Sequence, residues 1–433
     1  MTMIQRLAPM LFAGFLMACG DSETATSDNT ATEPVADSAE SPLRHGMWRM
    51  EISLQDHVLP VQMQVVPRAE GLPAVYYING EERVRVPRVE LDGSELLLDM
   101  TAYDTRIEGT LNDGVLVGKL YKKKRDETQV MPVRAEHGKQ YRFFERLAPP
   151  GVDVTGRWAV TFTDDEGNET EAVAEFEQAG TQLEGTFLTP TGDYRFLAGE
   201  VRNGDIYLST YDGSHVFLFT ASHDEESDTL SGDFWSGTAW HESWVAERDP
   251  DADIPDGDEM TFLKEGYDSF GFTFPNLEGE PVSLSDPMFR DKVVIVQIAG
   301  SWCPNCGDET AFLAPWYKEN RERGVEIVAL MFEHYEEFDA AAEQVAEWRE
   351  EFGVEYPTLI AGTSEKDVAS DALPQLNAVL AYPTTIFIDH TGEVRRIHTS
   401  FSGPGTGERY DRLVASFNAT VDALVAEKEK ASE

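Results

Sequence analysis

The stretch that most constrains this chain is the apolar run Val293-Val294-Ile295-Val296-Gln297-Ile298 and the turn that follows it, Gly300-Ser301-Trp302-Cys303-Pro304-Asn305-Cys306. A short, continuous, β-branched run reads as a strand buried on both faces, as in mostly parallel sheets. Asp308-Glu309-Thr310-Ala311-Phe312-Leu313 suits the first turns of a helix, so both cysteines fall in a strand-to-helix turn with Cys303 at the helix N-terminus. Unpaired N–H groups and the helix dipole favour a thiolate there. A thiolate attacks disulfides, and a second thiol three residues on can resolve the mixed disulfide. Pro304 suits a first-turn position, where its missing N–H costs nothing. A bare CxxC also occurs in zinc knuckles, but a tetrahedral zinc site needs further Cys or His ligands at short spacing, and none stands nearby.

Three cysteines occur in all. Residues 1–18 carry one cation, Arg6, and then an apolar stretch too short to span a bilayer, the pattern of a signal peptide. Leu16-Met17-Ala18-Cys19 resembles a bacterial lipobox, which implies cleavage before Cys19, lipidation of that cysteine and an acyl anchor in the membrane. Cys303 and Cys306 then remain as a pair with no structural staple beside it, which reads most simply as an active site. Gly20 is not the aspartate that retains some lipoproteins at the inner membrane, so the anchor leans towards the outer membrane. The tract from Cys19 to about residue 44, rich in Ser, Thr, Ala, Asp and Glu, is expected to be a disordered tether.

Trp302-Cys303-Pro304-Asn305-Cys306 after a buried strand, with Tyr382-Pro383-Thr384-Thr385-Ile386-Phe387-Ile388-Asp389 downstream, resembles the thioredoxin fold. The stretch is most similar to the TlpA/ResA-like thiol–disulfide oxidoreductases of bacterial envelopes, over about residues 265–433. Phe272-Thr273-Phe274-Pro275 and Val282-Ser283-Leu284-Ser285-Asp286 resemble the hairpin that precedes the core fold in that family. The resemblance implies catalysis by Cys303 and Cys306, an active-site acid at Glu309, a cis-proline at Pro383 beside the cysteines, and a surrounding shell of Trp302, Pro304, Asn305 and Tyr382. It implies no cofactor. The partners it implies are disulfide-containing envelope proteins and a membrane thiol-electron donor of the DsbD type. Two departures stand out: Ala311 holds the place of a proline that often kinks the active-site helix, and Gln297 that of a buried aspartate. The second makes Glu309 the proton-handling group.

From residue 45 to 248 the pattern becomes short alternating segments broken by Gly, Asn and Asp, the mark of antiparallel strands. Hairpin turns are expected at Asp92-Gly93, Asn112-Asp113-Gly114 and Asn203-Gly204. Gly46-Met47-Trp48 recurs as Gly156-Arg157-Trp158, and Leu116-Val117-Gly118 as Leu230-Ser231-Gly232, which suggests two related β units, 45–148 and 149–248, each a small barrel or sandwich. Trp235, Trp240 and Trp244 are expected to fill a β core rather than line a ligand mouth. Lys122-Lys123-Lys124-Arg125 reads as a solvated strand end. Residues 249–262 form an acidic linker whose Asp249-x-Asp251-x-Asp253 spacing lacks the glycine and glutamate of a calcium loop. The expected architecture is thus multidomain: two antiparallel all-β units followed by a thioredoxin-like α/β sandwich over 263–433.

Acidic residues outnumber basic ones 79 to 35, a formal charge of -44, which sets the chain against a phosphate backbone and excludes nucleic acid as a partner. Two other functions are open at this stage. A peroxiredoxin-like peroxidase would carry a Thr three residues before its cysteine, where Gly300 stands. A Cu(I)-delivery protein would use both thiols with a distal His such as His398; His334, His390 and His398 show no ligand spacing.

Overall fold

The computed structural model describes residues 41–267 and 269–432. The expected signal peptide, Cys19 and nearly all of the tether lie outside the described residues. Among the described residues no helix is long and apolar enough to cross a membrane.

The first β unit is a nine-stranded antiparallel sheet in which Gly46–Leu54 pairs on one side with His57–Val66 and on the other with the last strand, Thr128–His137. Its edges, Glu82–Arg85 and Arg88–Asp92, stay apart, so the sheet is open. The second repeats the scheme, Gly156–Asp164 pairing with Glu169–Ala179 and with the last strand, Trp240–Arg248. Here Glu169–Ala179 also pairs with Gln182–Thr189, which closes eight strands into a barrel. The repeated tryptophans make the same bond: Trp48 Nε1 donates to the Arg44 carbonyl and Trp158 Nε1 to that of Val154, both at 2.9 Å. Alternation along the strands sends one face inward, Trp48, Met50, Ile52 and Leu54 in the first sheet and Trp158, Val160 and Phe162 in the second. Of the three late tryptophans, Trp235 and Trp244 are buried, but Trp240 is 50% exposed at its strand's start.

The C-terminal part is a five-stranded sheet. Val293–Ala299 lies at its centre, parallel to Val325–Glu333 and antiparallel to Thr384–Ile388, with Thr358–Thr363 and Val394–Thr399 at the edges. Helices α1 (Pro304–Asn320), α2 (Phe338–Phe352), α3 (Lys366–Ala372) and α4 (Glu408–Ser432) connect and flank it, behind a short hairpin of Thr273–Pro275 and Pro281–Ser283. The fold class expected from the sequence holds: two antiparallel β units precede a thioredoxin-like domain.

The parts are packed on one another rather than strung out. Arg142, 5% exposed, ties the two sheets by donating to Ile78 O, Asn79 Oδ1 and Ser209 Oγ, each at 2.9 Å. Helix α2 grips the first sheet: Gln344 donates to the Thr101 and Ala102 carbonyls, and Glu351 accepts from Thr101 Oγ1 and Ala102 N. That contact buries Gln344, while Ala346 on the same helix faces out. The acidic segment expected as a linker is also fastened. Asp253 pairs with Arg409 at 2.7 Å, Asp258 with Arg396 at 2.9 Å, and Thr261 is buried against Thr399.

Candidate active site

Strand Val293–Ala299 is buried along its whole length and brings the chain to the turn ahead of α1. Trp302 is fixed there by Nε1, which donates to the Phe332 carbonyl at 2.8 Å, and by rings on two sides. His334 stacks on it at 4.7 Å and Tyr382 meets it edge-on at 5.5 Å. Cys303 is the N-cap of α1, its sulfur accepting from Cys306 N at 3.2 Å, and Pro304 takes the first helical position. The two cysteines form a disulfide with Cα atoms 5.2 Å apart. The Tyr382–Pro383 bond is cis, and the Tyr382 carbonyl lies 3.4 Å from the Cys303 sulfur. Helix α1 does contain a proline, Pro315 rather than one at Ala311, so the Ala311 carbonyl loses its helical partner.

Glu309 lies behind the cysteines and is 3% exposed. Its carboxylate accepts from Gln297 Nε2 at 2.8 Å and from the Thr385 hydroxyl. Burial outweighs those bonds and pushes its pKa up to about 7. Gln297 is thus a neutral donor in the place of a second acid. It also bonds Thr310 Oγ1 at 3.0 Å, and Thr310 in turn donates to the Cys306 carbonyl at 2.7 Å. Another acid, Glu333, was not singled out in the sequence. It is 1% exposed, accepts from Ser301 N at 2.9 Å and Ser301 Oγ at 2.6 Å, and burial pushes it to about 7 as well. It holds the turn two residues before Cys303.

Comparison with known proteins agrees with this geometry. Residues 267–397 match the AhpC/TSA family. The thiol-disulfide oxidoreductase ResA of Geobacillus kaustophilus is 32% identical over 158 residues, which are 36% of this chain and 80% of that one. The chain belongs to the ResA-like thiol-disulfide oxidoreductases. The ResA of Halalkalibacterium halodurans is 28% identical over 146 residues, 33% of this chain and 72% of its own. A solved thiol:disulfide interchange protein of the thioredoxin family from Chlorobium tepidum aligns with 40% of this chain and 99% of its own, at 19% identity and a TM-score of 0.28.

In this oxidoreductase the β units cover the cysteine turn. Asn305 Nδ2 donates to Asp193 Oδ2 at 3.1 Å, and the same oxygen accepts from Gly403 N at 2.8 Å, so a turn of the second β unit bridges the CxxC and the loop after the last strand. Ser214 Oγ donates to the Trp302 carbonyl at 3.2 Å. Tyr103 of the first unit packs so closely that a Cβ at Gly307 would meet its hydroxyl at 2.5 Å. Cys303 is consequently 5% exposed and Cys306 fully buried.

Beside the turn, Arg195 pairs with Glu82 (2.7 Å), Asp308 (3.0 Å) and Asp212 (3.1 Å). One guanidinium cannot balance three buried carboxylates. Asp212 also accepts from Ser214 N, His215 N and His215 Nδ1 and is held well below the usual carboxylate range, whereas burial pushes Glu82 and Asp308 up. This cluster draws on residues far apart in sequence, and no spacing announces it.

The rival ligand candidates are placed as well. His398 turns Nδ1 to Asp258 at 2.6 Å. Asp256, Asp258 and His398 bring their ligand atoms together on the fastened acidic segment, but Asp258 is already bonded by Arg396. The run Lys122–Arg125 is not a solvated strand end. Lys122 donates to the Ser214 carbonyl and Arg125 pairs with Glu365, because the strand Val115–Lys123 ends against the C-terminal domain.

Proposed function

We propose that this protein is a membrane-anchored reductant of protein disulfides in the cell envelope, working through Cys303 and Cys306. The observation that carries the reading is the pair itself, joined at the N-terminus of α1 with the Tyr382 carbonyl beside the first sulfur and a buried acid behind the second. In the reduced protein the Cys303 thiolate attacks one sulfur of a substrate disulfide, and the other sulfur leaves as a thiolate and takes up a proton. Cys306, its proton passed towards Glu309, then attacks Cys303 and releases the substrate as a dithiol. Two electrons have moved, and the protein disulfide remains. Tyr382 and Pro383 hold the substrate chain, and Trp302, Pro304 and Asn305 shape the turn. A membrane thiol donor of the DsbD type restores the dithiol, and lipidated Cys19 keeps the protein at the membrane.

Trapping tests the reading. A Cys306→Ser variant should accumulate mixed disulfides with envelope proteins that dithiothreitol releases, and Cys303→Ser should accumulate none. Equal trapping by both would remove Cys303 as the attacking group. Labelling with a radioactive fatty acid, lost in Cys19→Ala, tests the anchor. The AhpC/TSA match favours one second reading, a peroxidase, against which stands Gly300 in the place of the threonine. Consumption of hydrogen peroxide by the reduced protein at a rate above its disulfide exchange would select it.

A further inference from the structure

The exchange chemistry leaves the basic run unused. Lys122, Lys123 and Lys124 are all half-buried, in a chain with more than twice as many acids as bases. Among the described residues none of the three forms an ion pair, whereas the next residue, Arg125, is bound by both Asp126 and Glu365. Lys123 lies over the Tyr335 ring at 5.5 Å. Lys122 donates to the Ser214 carbonyl, and Ser214 Oγ donates to the Trp302 carbonyl, so the run sits two hydrogen bonds from the residue before Cys303.

Lys122 and Lys124, two apart on an extended segment, project to the same side of it, the side that carries the buried Leu116 and Leu120. His334, whose ring stacks on Trp302, feels the positive charge of the run, and burial together with these cations keeps that imidazole neutral. Asp212 and Glu127 act on the two ammonium groups only from a distance. Two like charges on one half-buried side are unfavourable unless one is neutral or an anion lies between them, and burial with Lys124 presses Lys122 down to about 7. The Tyr382 hydroxyl, on the ring that meets Trp302 edge-on, is buried without a partner.

We infer that Lys122 and Lys124 form a carboxylate-binding subsite at the edge of the thiol-exchange site, supplied by the first β unit, which selects disulfides carrying a carboxylate close to the reacting sulfur. The carboxylate belongs either to an acidic residue of a polypeptide or to a small acidic thiol. The subsite rests on the exchange reading above: the Cys303 thiolate attacks the substrate disulfide, Cys306 closes the protein disulfide, and two thiols leave. The ammonium groups hold the substrate's carboxylate and take no part in the bond changes. The first β unit is then a specificity element.

The test uses the full-length protein, reduced and freed of reductant, mixed by stopped flow with one disulfide at a time while tryptophan fluorescence follows its oxidation. Oxidised glutathione is anionic, hydroxyethyl disulfide neutral and cystamine cationic. A cystine peptide with Glu beside the sulfur, and its Gln counterpart, cover polypeptides. The wild type should react fastest with the anionic member of a set, and Lys124→Gln should lower the anionic-to-neutral rate ratio about tenfold, the scale of one charge-assisted hydrogen bond. Lys124→Glu should reverse the order of glutathione and cystamine. A preference confined to glutathione assigns the carboxylate to a small thiol, and one confined to the Glu peptide assigns it to a polypeptide. Wild-type rates that ignore substrate charge, or ratios unchanged in both folded variants, would overturn the subsite while leaving exchange intact. Failure to react even with hydroxyethyl disulfide would overturn the exchange reading and the subsite with it.

Discussion

Replacing Glu309 by Gln should remove a large and directional pH dependence from the stability of the fold. Glu309 is 3% exposed, so its charge has little help from solvent, and its pKa rises from 4.5 to about 7. At about 1.36 kcal/mol for each tenfold change, that difference is worth about 3 kcal/mol. Because the folded-state value is raised, the contribution of Glu309 to stability is complete below about pH 4.5 and is lost as pH rises through about 7. Gln mimics the protonated acid in shape and cannot ionise. Urea unfolding of the oxidised wild type and Glu309→Gln, at steps from pH 5 to pH 8, gives a stability difference in which Glu333 and every other titrating group cancel. The variant should gain about 2 kcal/mol or more on the wild type across that range. A difference that stays flat within about 0.5 kcal/mol, or moves the other way, would refute the assignment of a neutral buried acid behind Cys306.

Arg195→Met leaves Glu82, Asp212 and Asp308 buried around an apolar side chain. It should cost about 3–5 kcal/mol, read as a lower unfolding midpoint, and adding Glu82→Gln should restore part of the loss. Asp193→Ala removes the oxygen that holds both Asn305 and Gly403 N. Losing two hydrogen bonds to a carboxylate should open the cysteine turn and raise the alkylation rate of reduced Cys303 about tenfold or more, measured with iodoacetamide; an unchanged rate would mean that the Asp193 turn does not govern access.

Much of this arrangement was legible because local pattern and burial agree. The strand before Trp302 was a continuous β-branched run, and the β units announced themselves by alternation and by turns such as Asn203-Gly204, both with positive φ (55° and 92°). Strand Thr358–Thr363 and helix α3 escaped notice: the strand is six residues long and holds a glycine, and α3 has seven residues and one buried side chain, Ala369. Glu309 was found through its place after the cysteines, whereas Glu333 ends a strand of nine buried residues whose other members are mostly apolar, and nothing local marks its bond to Ser301. The basic run was misread because a charge run is ordinarily a solvated face. Only tertiary contacts, Lys122 with the Ser214 carbonyl and Arg125 with Glu365, take it out of solvent. Arg195, Asp193 and Asp308 meet for the same reason, through tertiary contacts that no sequence period encodes.

The central claim is that Cys303 and Cys306 work as a reductant, and the potential of the pair tests it most directly. Oxidants of this chemistry owe their high potential to a stabilised thiolate in the reduced form. Here Glu309 and Glu333 flank the turn, and Arg195 is taken up by three carboxylates, so among these groups only the end of α1 favours a thiolate. Equilibration of the full-length protein with dithiothreitol or glutathione buffers should therefore give a value near or below about −270 mV, that of thioredoxin. A value near about −120 mV, that of a strong oxidant, would contradict the account.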